Sequence, residues 1–370
     1  MKGYQFEDTQ GTFHLKKAEN ISYLYFPIAG EAGLKSSFTP NLGGDAKIDQ
    51  NTFLLEPVSA ENLVNNRNSR NFWCNVKGIG SWSLTGHSAE ELSKKFTEMQ
   101  DDSEVTAGFM WQKTTRESKK YQLRGEILSF IPVDKNVEIM LVTITNTGRM
   151  AQTVTPTAAI PLYGRSADNI RDHRHVTSLL HRIETTDTGV LVTPTLSFDE
   201  RGHQVNHMTY YCVGWSGNGE KPVDFYPTAE DFVGEGGNFE RPYAIVKNAE
   251  GVKAGTKIEG LEAVGGLHFS EITLEPEEEC SYLIFTGITE DIQEIRNLSK
   301  TYTTREKVLE ELEKTKAYWQ EKVNVAYHTG DSDFNQFMHW VSFQPILRRI
   351  YGCSFLPHHD YGKGGRGWRD

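Results

Sequence analysis

The stretch VEIMLVTIT, at residues 137–145, decides the fold class of the larger part of this chain. It is rich in β-branched residues, it has the length of a strand, and Asn146-Thr147-Gly148 follows it as a turn. Residues 153–162 read as the strand that returns after this turn. An apolar run of this kind, ended by turn residues, predicts a strand of an antiparallel sheet.

Working outward from this stretch, residues 1–290 carry further short β-type segments. A turn signal at 199–202 and the polar stretch 275–279, which suits a hairpin loop, separate some of them. The other predicted strands are residues 189–192, 207–213, 267–274 and 281–285. Many short strands with turns between them predict an antiparallel β-sandwich over 1–290, with long loops at 163–180 and 216–245.

The pattern becomes helical near residue 300. Residues 304–323 place apolar side chains at Val308, Leu312, Trp319 and Val323 with Lys and Glu between them, which is helical spacing. This segment is predicted to be a linker helix on a domain surface. The proposed boundaries are therefore a sandwich domain at 1–290 and a helical linker at 291–325.

A second helix is predicted after Gly330, with Asp331 or Ser332 as its cap. Pro345 should kink or end it near Gln344, because proline lacks the N–H that a helix interior needs. Its predicted apolar stripe consists of Phe334, Phe337, Met338 and Val341. Asp331 and Asp333 resemble catalytic carboxylates, but a position at a helix start makes capping the better explanation.

Composition narrows the class of protein. The 370 residues include 37% hydrophobic and 11% aromatic residues, enough for a core, and the formal net charge of −11 argues against a nucleic-acid partner. No stretch approaches the roughly 20 apolar residues that span a bilayer, and the N-terminus lacks the pattern of a secretory signal.

The cysteines give no sign of a metal site. Cys74, Cys212, Cys280 and Cys353 are scattered, without a CxxC motif or a Cys/His cluster, so neither a zinc site nor a disulfide framework is indicated. We therefore expect a reducing, cytoplasmic compartment and no metal or organic cofactor.

The last residues form the candidate site. Residues 354–370, SFLPHHDYGKGGRGWRD, form a polar, glycine-rich loop in which the backbone can approach a ligand closely. Arginine donates and aspartate accepts hydrogen bonds, a combination suited to vicinal hydroxyls. The candidate ligand-binding residues are Arg366, Arg369 and Asp370, with Lys363 and His359 as weaker candidates. A solvated surface loop is the alternative.

Several segments together resemble one enzyme family. The ending GGRGWRD resembles the glycine-rich segment of the cellobiose phosphorylase family, glycoside hydrolase family 94. YFPI at 25–28, SFTP at 37–40, 53–57, SRNFW at 69–73 and the segment 232–242 are similar to other parts of that family's pattern, in the same order. The resemblance implies a β-sandwich, a helical linker and then, at 326–370, the beginning of an (α/α)6 barrel.

The activity that the resemblance implies is inverting phosphorolysis of a β-glucosidic bond, with inorganic phosphate as co-substrate and α-glucose 1-phosphate as product. It implies that Arg369 and Asp370 bind the transferred glucosyl unit, that Arg366 or Lys363 supports them, and that the protein is a homodimer. The general acid is an aspartate expected beyond residue 370. This chain by itself is therefore expected to be inactive, and an apolar stripe without partners would make it prone to aggregate.

The substrate and the class of function stay open. The form GKGGRGWRD looks more like laminaribiose or β-1,2-glucan phosphorylases than cellobiose phosphorylases, and laminaribiose, a β-1,3 disaccharide, is the favoured substrate. A non-catalytic glucan-binding module is the alternative of another class. An α-glucan enzyme of similar plan, such as a glucoamylase or a trehalose-type phosphorylase, is a third.

Overall fold

The computed structural model describes residues 3–21, 25–59, 67–199 and 202–352. In chain order, its strands are β1 (Tyr4–Phe6), β2 (Phe13–Lys16), β3 (Phe26–Ala29), β4 (Lys35–Phe38), β5 (Ala46–Asp49), β6 (Thr52–Leu55), β7 (Asn71–Val76), β8 (Gly80–Ser83), β9 (Asp102–Gly108), β10 (Trp111–Ser118), β11 (Leu123–Phe130), β12 (Val137–Asn146), β13 (Gln152–Leu162), β14 (Arg182–Thr185), β15 (Gly189–Val192), β16 (Leu196–Asp199), β17 (Gly202–Val205), β18 (Thr209–Ser216), β19 (Asp224–Thr228), β20 (Lys257–Glu259), β21 (Ala263–His268), β22 (Ile272–Leu274) and β23 (Glu279–Thr289).

The α-helices are α1 (Ala89–Ser93), α2 (Arg174–Thr177), α3 (Ala229–Val233), α4 (Tyr243–Lys247), α5 (Ile292–Thr301), α6 (Arg305–Glu321) and α7 (Ser332–Tyr351). Short 3₁₀ helices occur at Ala18–Asn20, Ala167–Arg171 and Ser178–Leu180.

The strands form two large antiparallel sheets. The first has eleven strands in the order β1-β2-β9-β10-β11-β12-β23-β18-β15-β14-β20. The second has six, in the order β19-β21-β13-β7-β8, with β22 beside β13. A four-stranded sheet, β3-β4-β5-β6, and the hairpin β16-β17 accompany them. The predicted antiparallel sandwich is confirmed.

The main core lies between the two large sheets. Met140, Val142 and Ile144 of β12 face Val154 and Ile160 of β13 within one buried cluster. Such alternating inward side chains are the normal core of a sheet-on-sheet sandwich.

The outer faces of both sheets are covered as well. Ile139 and Leu141 of β12 pack with Ile295 of α5 and with Val308 and Leu312 of α6. On the second sheet, a smaller cluster beneath α3 and α4 includes Phe232 and Ile245. Because both of its faces are covered, β12 is buried along its whole length, which explains an apolar run without alternation.

Two predicted hairpins are wrong. Strand β13 does not return beside β12, since it pairs with β7, β21 and β22 in the other sheet. Residues 267–274 belong to two strands rather than one, and residues 275–278 join β22 in the second sheet to β23 in the first. This short polar connection therefore runs from one sheet of the sandwich to the other. Turn residues in the sequence do not show whether the next strand stays in the same sheet or enters the other one.

Of the two long loops that were predicted, one contains a strand and two helices. Residues 163–180 carry short helical turns but no strand, whereas 216–245 contain β19 and the helices α3 and α4, so the second predicted loop is wrong. Of the turn predicted at 199–202, Glu200 and Arg201 lie outside the described residues, and Asp199 and Gly202 are paired at the end of the hairpin β16-β17.

The helix predicted at 304–323 is confirmed as α6, which covers Arg305–Glu321. Val308, Leu312 and Trp319 are buried as predicted, whereas Val323 lies beyond the end of the helix and is half-buried. The first two contact the outer face of the large sheet, and Trp319 packs against Phe343 and Leu347 of α7.

Helix α7 begins as predicted but differs in its buried face and its end. Asp331 Oδ1 accepts a hydrogen bond from Phe334 N at 3.1 Å, which confirms the cap. Phe334, Phe337 and Val341 are 46%, 54% and 42% exposed, so the predicted stripe is not the buried side of the helix. That side consists of Gln336, Trp340, Phe343 and Leu347.

Pro345 does not end α7, which continues to Tyr351. The lost N–H would have bonded the carbonyl of Val341 one turn earlier. Phe343 and Leu347, on either side of Pro345, are buried in one apolar cluster, and this packing outweighs the single lost hydrogen bond. Of the two effects predicted for Pro345, the end near Gln344 is therefore wrong, and the kink stays a prediction.

Candidate functional site

The residues predicted to bind sugar follow directly after α7. Lys363, Arg366, Arg369, Asp370 and His359 lie outside the described residues. The structure therefore describes only the helix that precedes these residues and its contacts. Helix α7 ends at Gly352, whose N–H donates to Arg348 O at 2.9 Å and whose φ of 74° suits glycine.

Polar contacts tie the last turn of α7 to the hairpin formed by β3 and β4. Arg349 Nη1 and Nη2 contact the two carboxylate oxygens of Glu31 at 2.9 and 2.7 Å. Lys35 Nζ donates to Ile350 O at 2.9 Å. Tyr351 Oη lies 2.7 Å from Ile28 O and 2.7 Å from Ser36 O. This end of the helix is therefore fixed on its hairpin side.

A buried ion pair lies under the same hairpin. Arg70 and Glu138 are both fully buried, and Arg70 Nε donates to Glu138 Oε1 at 2.5 Å. The other carboxylate oxygen accepts from Arg70 Nη2 at 3.2 Å and from Ser36 Oγ at 2.5 Å. The Arg70 guanidinium also lies 5.1 Å from the ring centre of Phe38.

This pair explains two of the segments that suggested the family. SFTP at 37–40 and SRNFW at 69–73 are distant in sequence, but the contact between Arg70 and Phe38 brings them together. Asn71 of the second segment accepts from Ser83 and Thr85 inside the sheet. Both segments therefore hold the small sheet against the sandwich through buried side chains.

Two further arginine–glutamate pairs, which the sequence analysis did not predict, lie near each other. Arg174 Nη2 contacts Glu56 Oε1 at 2.5 Å, and Arg165 Nη2 contacts Glu262 Oε1 at 2.6 Å. A small cavity beside Tyr163 is lined by both carboxylates. Each guanidinium already has a carboxylate partner, so a phosphate would have to displace that partner. The only signal in the sequence was the number of charges in the predicted loop 163–180.

His181 lies near this group as a neutral side chain. It is fully buried, and its Nδ1 lies 3.2 Å from Leu261 O. Burial and the nearby charge of Arg165 lower the pKa of His181 to about 3. Because the imidazole is uncharged at neutral pH, it is unsuited to bind an anion by charge.

A groove of about 730 Å³ lies at the start of α6. Its walls include Glu220, Lys221, Tyr282, Arg305 and Glu306. Pockets of 300–1,000 Å³ are typical of small-ligand sites, so the groove has room for a short sugar. Sequence reasoning did not find it, because its walls come from four separate segments.

Thiol chemistry has no support among the described cysteines. Cys280 lines the large groove, and burial raises its pKa to about 12. Burial also raises the pKa of Cys74 and of Cys212. These thiols stay protonated at neutral pH and are poor nucleophiles.

Neither a metal-binding cluster nor a helix able to cross a membrane occurs in the described ranges. No group of three or more His, Cys, Asp or Glu side chains there is arranged to hold a metal ion. Within the same ranges, no helix combines the length and the apolar character that crossing a membrane requires.

The chain is similar in structure to several carbohydrate-active enzymes. A bacterial glucoamylase complexed with acarbose shares 9% identity, with a TM-score of 0.42 over 91% of this chain and 41% of that one. A family GH92 α-mannosidase from Bacteroides thetaiotaomicron, in complex with mannoimidazole, shares 12% identity, with a TM-score of 0.42 over 86% of this chain and 37% of that one. The chain thus spans about two fifths of the length of either enzyme.

Sequence comparison supplies the family. No curated protein sequence matches the chain. The family model "Glycosyl hydrolase 94, supersandwich domain" matches residues 55–305, which is about two thirds of the chain and includes most strands of both large sheets. On this match, the chain belongs to glycosyl hydrolase family 94 and carries its supersandwich domain.

Proposed function

We propose that the protein to which this chain belongs catalyses inverting phosphorolysis of a β-linked glucosyl disaccharide or oligosaccharide, with laminaribiose as the favoured substrate. The match of residues 55–305 to the family 94 supersandwich carries this proposal. The ending GGRGWRD, which resembles the sugar-binding segment of the family's phosphorylases, supports it. Cellobiose and β-1,2-linked oligoglucans are the alternative substrates.

In the proposed reaction, a protonated carboxyl group from beyond residue 370 gives its proton to the leaving glycosidic oxygen. Phosphate attacks the anomeric carbon from the opposite face, so the β-linkage becomes α-glucose 1-phosphate and the shortened sugar leaves with the proton. No carboxylate base is required, because phosphate is already an anionic nucleophile.

The site residues of this chain would bind rather than react. Arg369 and Asp370 hold hydroxyls of the transferred glucosyl unit as donor and acceptor, and Arg366 or Lys363 supports them. His359 shapes the same pocket. No metal or organic cofactor takes part, and phosphate is the co-substrate.

The proposed domain organisation has the sandwich at 1–290, the helical linker at 291–325 and the beginning of an (α/α)6 barrel at 326–370. The exposed apolar side chains Phe334, Phe337 and Val341 of α7 support the barrel, since further helices would cover them. The assembly is proposed to be a cytoplasmic homodimer.

Release of glucose 1-phosphate tests the proposal. The protein expressed from its complete gene is incubated with β-1,2-, β-1,3- and β-1,4-linked glucobiose, each with and without inorganic phosphate. We expect phosphate-dependent release from the β-1,3 disaccharide. Release from another disaccharide would correct the linkage, whereas free glucose without phosphate would identify a hydrolase.

A non-catalytic glucan-binding protein is the second candidate, and the groove of about 730 Å³ favours it. Carboxylates such as Glu220 and Glu306 can accept hydrogen bonds from sugar hydroxyls. This candidate predicts that a glucan binds without any turnover and that Glu220→Gln weakens the binding. Binding that is unchanged in Glu220→Gln would remove the groove from consideration.

A further inference from the structure

A cavity of about 450 Å³ lies between the large sheet and α6. Its floor includes Thr106 and Gly108 of β9 and Trp111 of β10, and α6 forms one of its walls. We propose that this cavity, called the Trp111 cavity below, binds a neutral β-glucan chain. The choice of a β-glucan among saccharides rests on the proposed function.

Trp111 gives the cavity an aromatic surface. It is paired with Gly108 across β9 and β10, and a Cβ added at Gly108 would lie 2.4 Å from Trp111 Nε1. The indole can therefore lie against β9 only because residue 108 has no side chain. It is half-buried at the edge of the apolar cluster that contains Val308 and Leu312 of α6, and it borders the cavity.

Lys316 of α6 lies over the indole. Its Nζ is 4.4 Å from the ring centre of Trp111 and 2.8 Å from Glu313 Oε1. The stem of a lysine is long and flexible, so the ammonium can move aside for a ligand. The apolar C–H face of a pyranose can then pack on the ring, while the ammonium donates hydrogen bonds to the hydroxyls.

The polar side chains around the ring suit sugar hydroxyls. Gln320 of α6 carries both donors and an acceptor, and Glu7 and Asp8, in the turn between β1 and β2, are acceptors. Asp8 Oδ1 accepts from the N–H groups of Gln10 and Thr12 at 2.8 and 3.0 Å, which fixes this turn at the side of the cavity. A ring face flanked by a few polar groups, in a volume of 300–1,000 Å³, is typical of small-ligand sites.

The charges favour a neutral ligand. Among the described residues that line the cavity, the carboxylates of Glu7, Asp8 and Glu313 outnumber the ammonium of Lys316. This excess of negative charge repels phosphate and other anions. A cationic ligand would compete with Lys316, which already contacts the ring and Glu313. A neutral polyhydroxyl compound with an apolar ring face is therefore the class of ligand that fits.

The groove at the start of α6 offers no comparable ring. The aromatic residues in its described lining, Phe269 and Tyr282, are both buried. Hydrogen bonds to sugar are available in that groove, but stacking on an aromatic face is not. The Trp111 cavity combines the two kinds of contact.

The test removes the ring while keeping apolar bulk. Trp111→Leu lacks an aromatic face, and Trp111→Phe retains a smaller one. A matched pair on α6 is Gln320→Ala, whose side chain lines the cavity, and Glu321→Ala, whose side chain does not. Equilibrium dialysis of the protein from its complete gene, in phosphate-free buffer, measures the Kd of β-1,2-, β-1,3- and β-1,4-linked glucopentaose, and calorimetric unfolding measures Tm.

For the β-1,3-linked pentaose, we expect Trp111→Leu to raise Kd at least about tenfold, and Trp111→Phe and Gln320→Ala to raise it about threefold. Glu321→Ala should stay within about twofold of the original protein. If Trp111→Leu does not fold, the pair on α6 decides. Equal Kd values for the original protein and a folded Trp111→Leu, equal values for Gln320→Ala and Glu321→Ala, or no binding of any pentaose would overturn the inference.

This inference and the phosphorylase proposal can fail separately. If the protein releases glucose 1-phosphate from a glucobiose but Trp111→Leu binds the pentaose as tightly as the original protein does, the inference fails and the phosphorylase proposal stands. If no glucobiose yields glucose 1-phosphate and Trp111→Leu still weakens binding as expected, the cavity is a glucan site and the phosphorylase proposal fails.

Discussion

Replacing Arg70 with methionine is expected to destabilise the protein by about 5 kcal/mol or more. Removing one partner of a buried ion pair costs about 3–5 kcal/mol, because Glu138 is left as an uncompensated charge. The guanidinium also donates to the carbonyls of Leu42, Gly44 and Asp45, and each lost hydrogen bond adds about 1 kcal/mol. Since domains are stable by only about 5–15 kcal/mol, this variant should be close to unfolded.

Urea denaturation followed by tryptophan fluorescence measures the loss. The matched variant is Arg70→Met combined with Glu138→Leu, which removes the isolated charge but not the loss at the three carbonyls. We expect this double variant to lose about 3 kcal/mol, less than Arg70→Met alone. If Arg70→Met costs less than about 1 kcal/mol, or if the double variant is the less stable of the two, the buried pair does not fasten the small sheet as argued.

Three other expectations concern pH and sugar binding. Burial and Arg165 lower the pKa of His181 to about 3 in the folded protein, so between pH 6.5 and pH 3 only the unfolded chain binds a proton at this residue. The free energy of unfolding should therefore fall by about 1.4 kcal/mol per pH unit over this range. Urea titrations at several pH values measure this slope, and His181→Asn should show a smaller one. Burial opposes ionisation of Glu90, but hydrogen bonds from two lysines and a tyrosine outweigh it and lower its pKa to about 2. The stability that ionised Glu90 adds is present above pH 4.5 and disappears as the pH falls to 2. Glu90→Gln should therefore lower Tm at pH 6 and leave it unchanged near pH 2. Arg369→Ala in the complete enzyme should cost about 2–4 kcal/mol in kcat/KM, and an unchanged kcat/KM would remove Arg369 from the site.

The strand that the sequence predicts best is the one buried on both faces. Residues 137–145 were expected as a strand, and β12 covers Val137–Asn146. The prediction succeeds because a strand between two layers needs apolar side chains on both faces, and this leaves an uninterrupted apolar run in the sequence. The linker helix α6 was equally visible, since its buried residues recur at helical spacing.

The buried face of α7 could not be chosen from its sequence. The helix has apolar residues on two sides, and the predicted stripe of Phe334, Phe337, Met338 and Val341 is regularly spaced. Only the positions of Trp319 in α6 and Phe13 in β2 determine that Phe343 and Trp340 are the residues that become buried. Periodicity shows which residues share a side of a helix, but the neighbouring helices and strands decide which side is buried.

The sequence by itself determined the antiparallel sandwich, the change to helices near residue 300 and the segments that resemble family 94. These follow from local patterns, because side-chain periodicity and turn residues act within a few positions. Only the tertiary structure decided that β13 crosses to the second sheet, that Arg70 is buried against Glu138 and that Tyr351 is held by the β3-β4 hairpin. Each of these contacts joins residues far apart in the chain, and such pairings depend on how the sheets and helices pack as a whole.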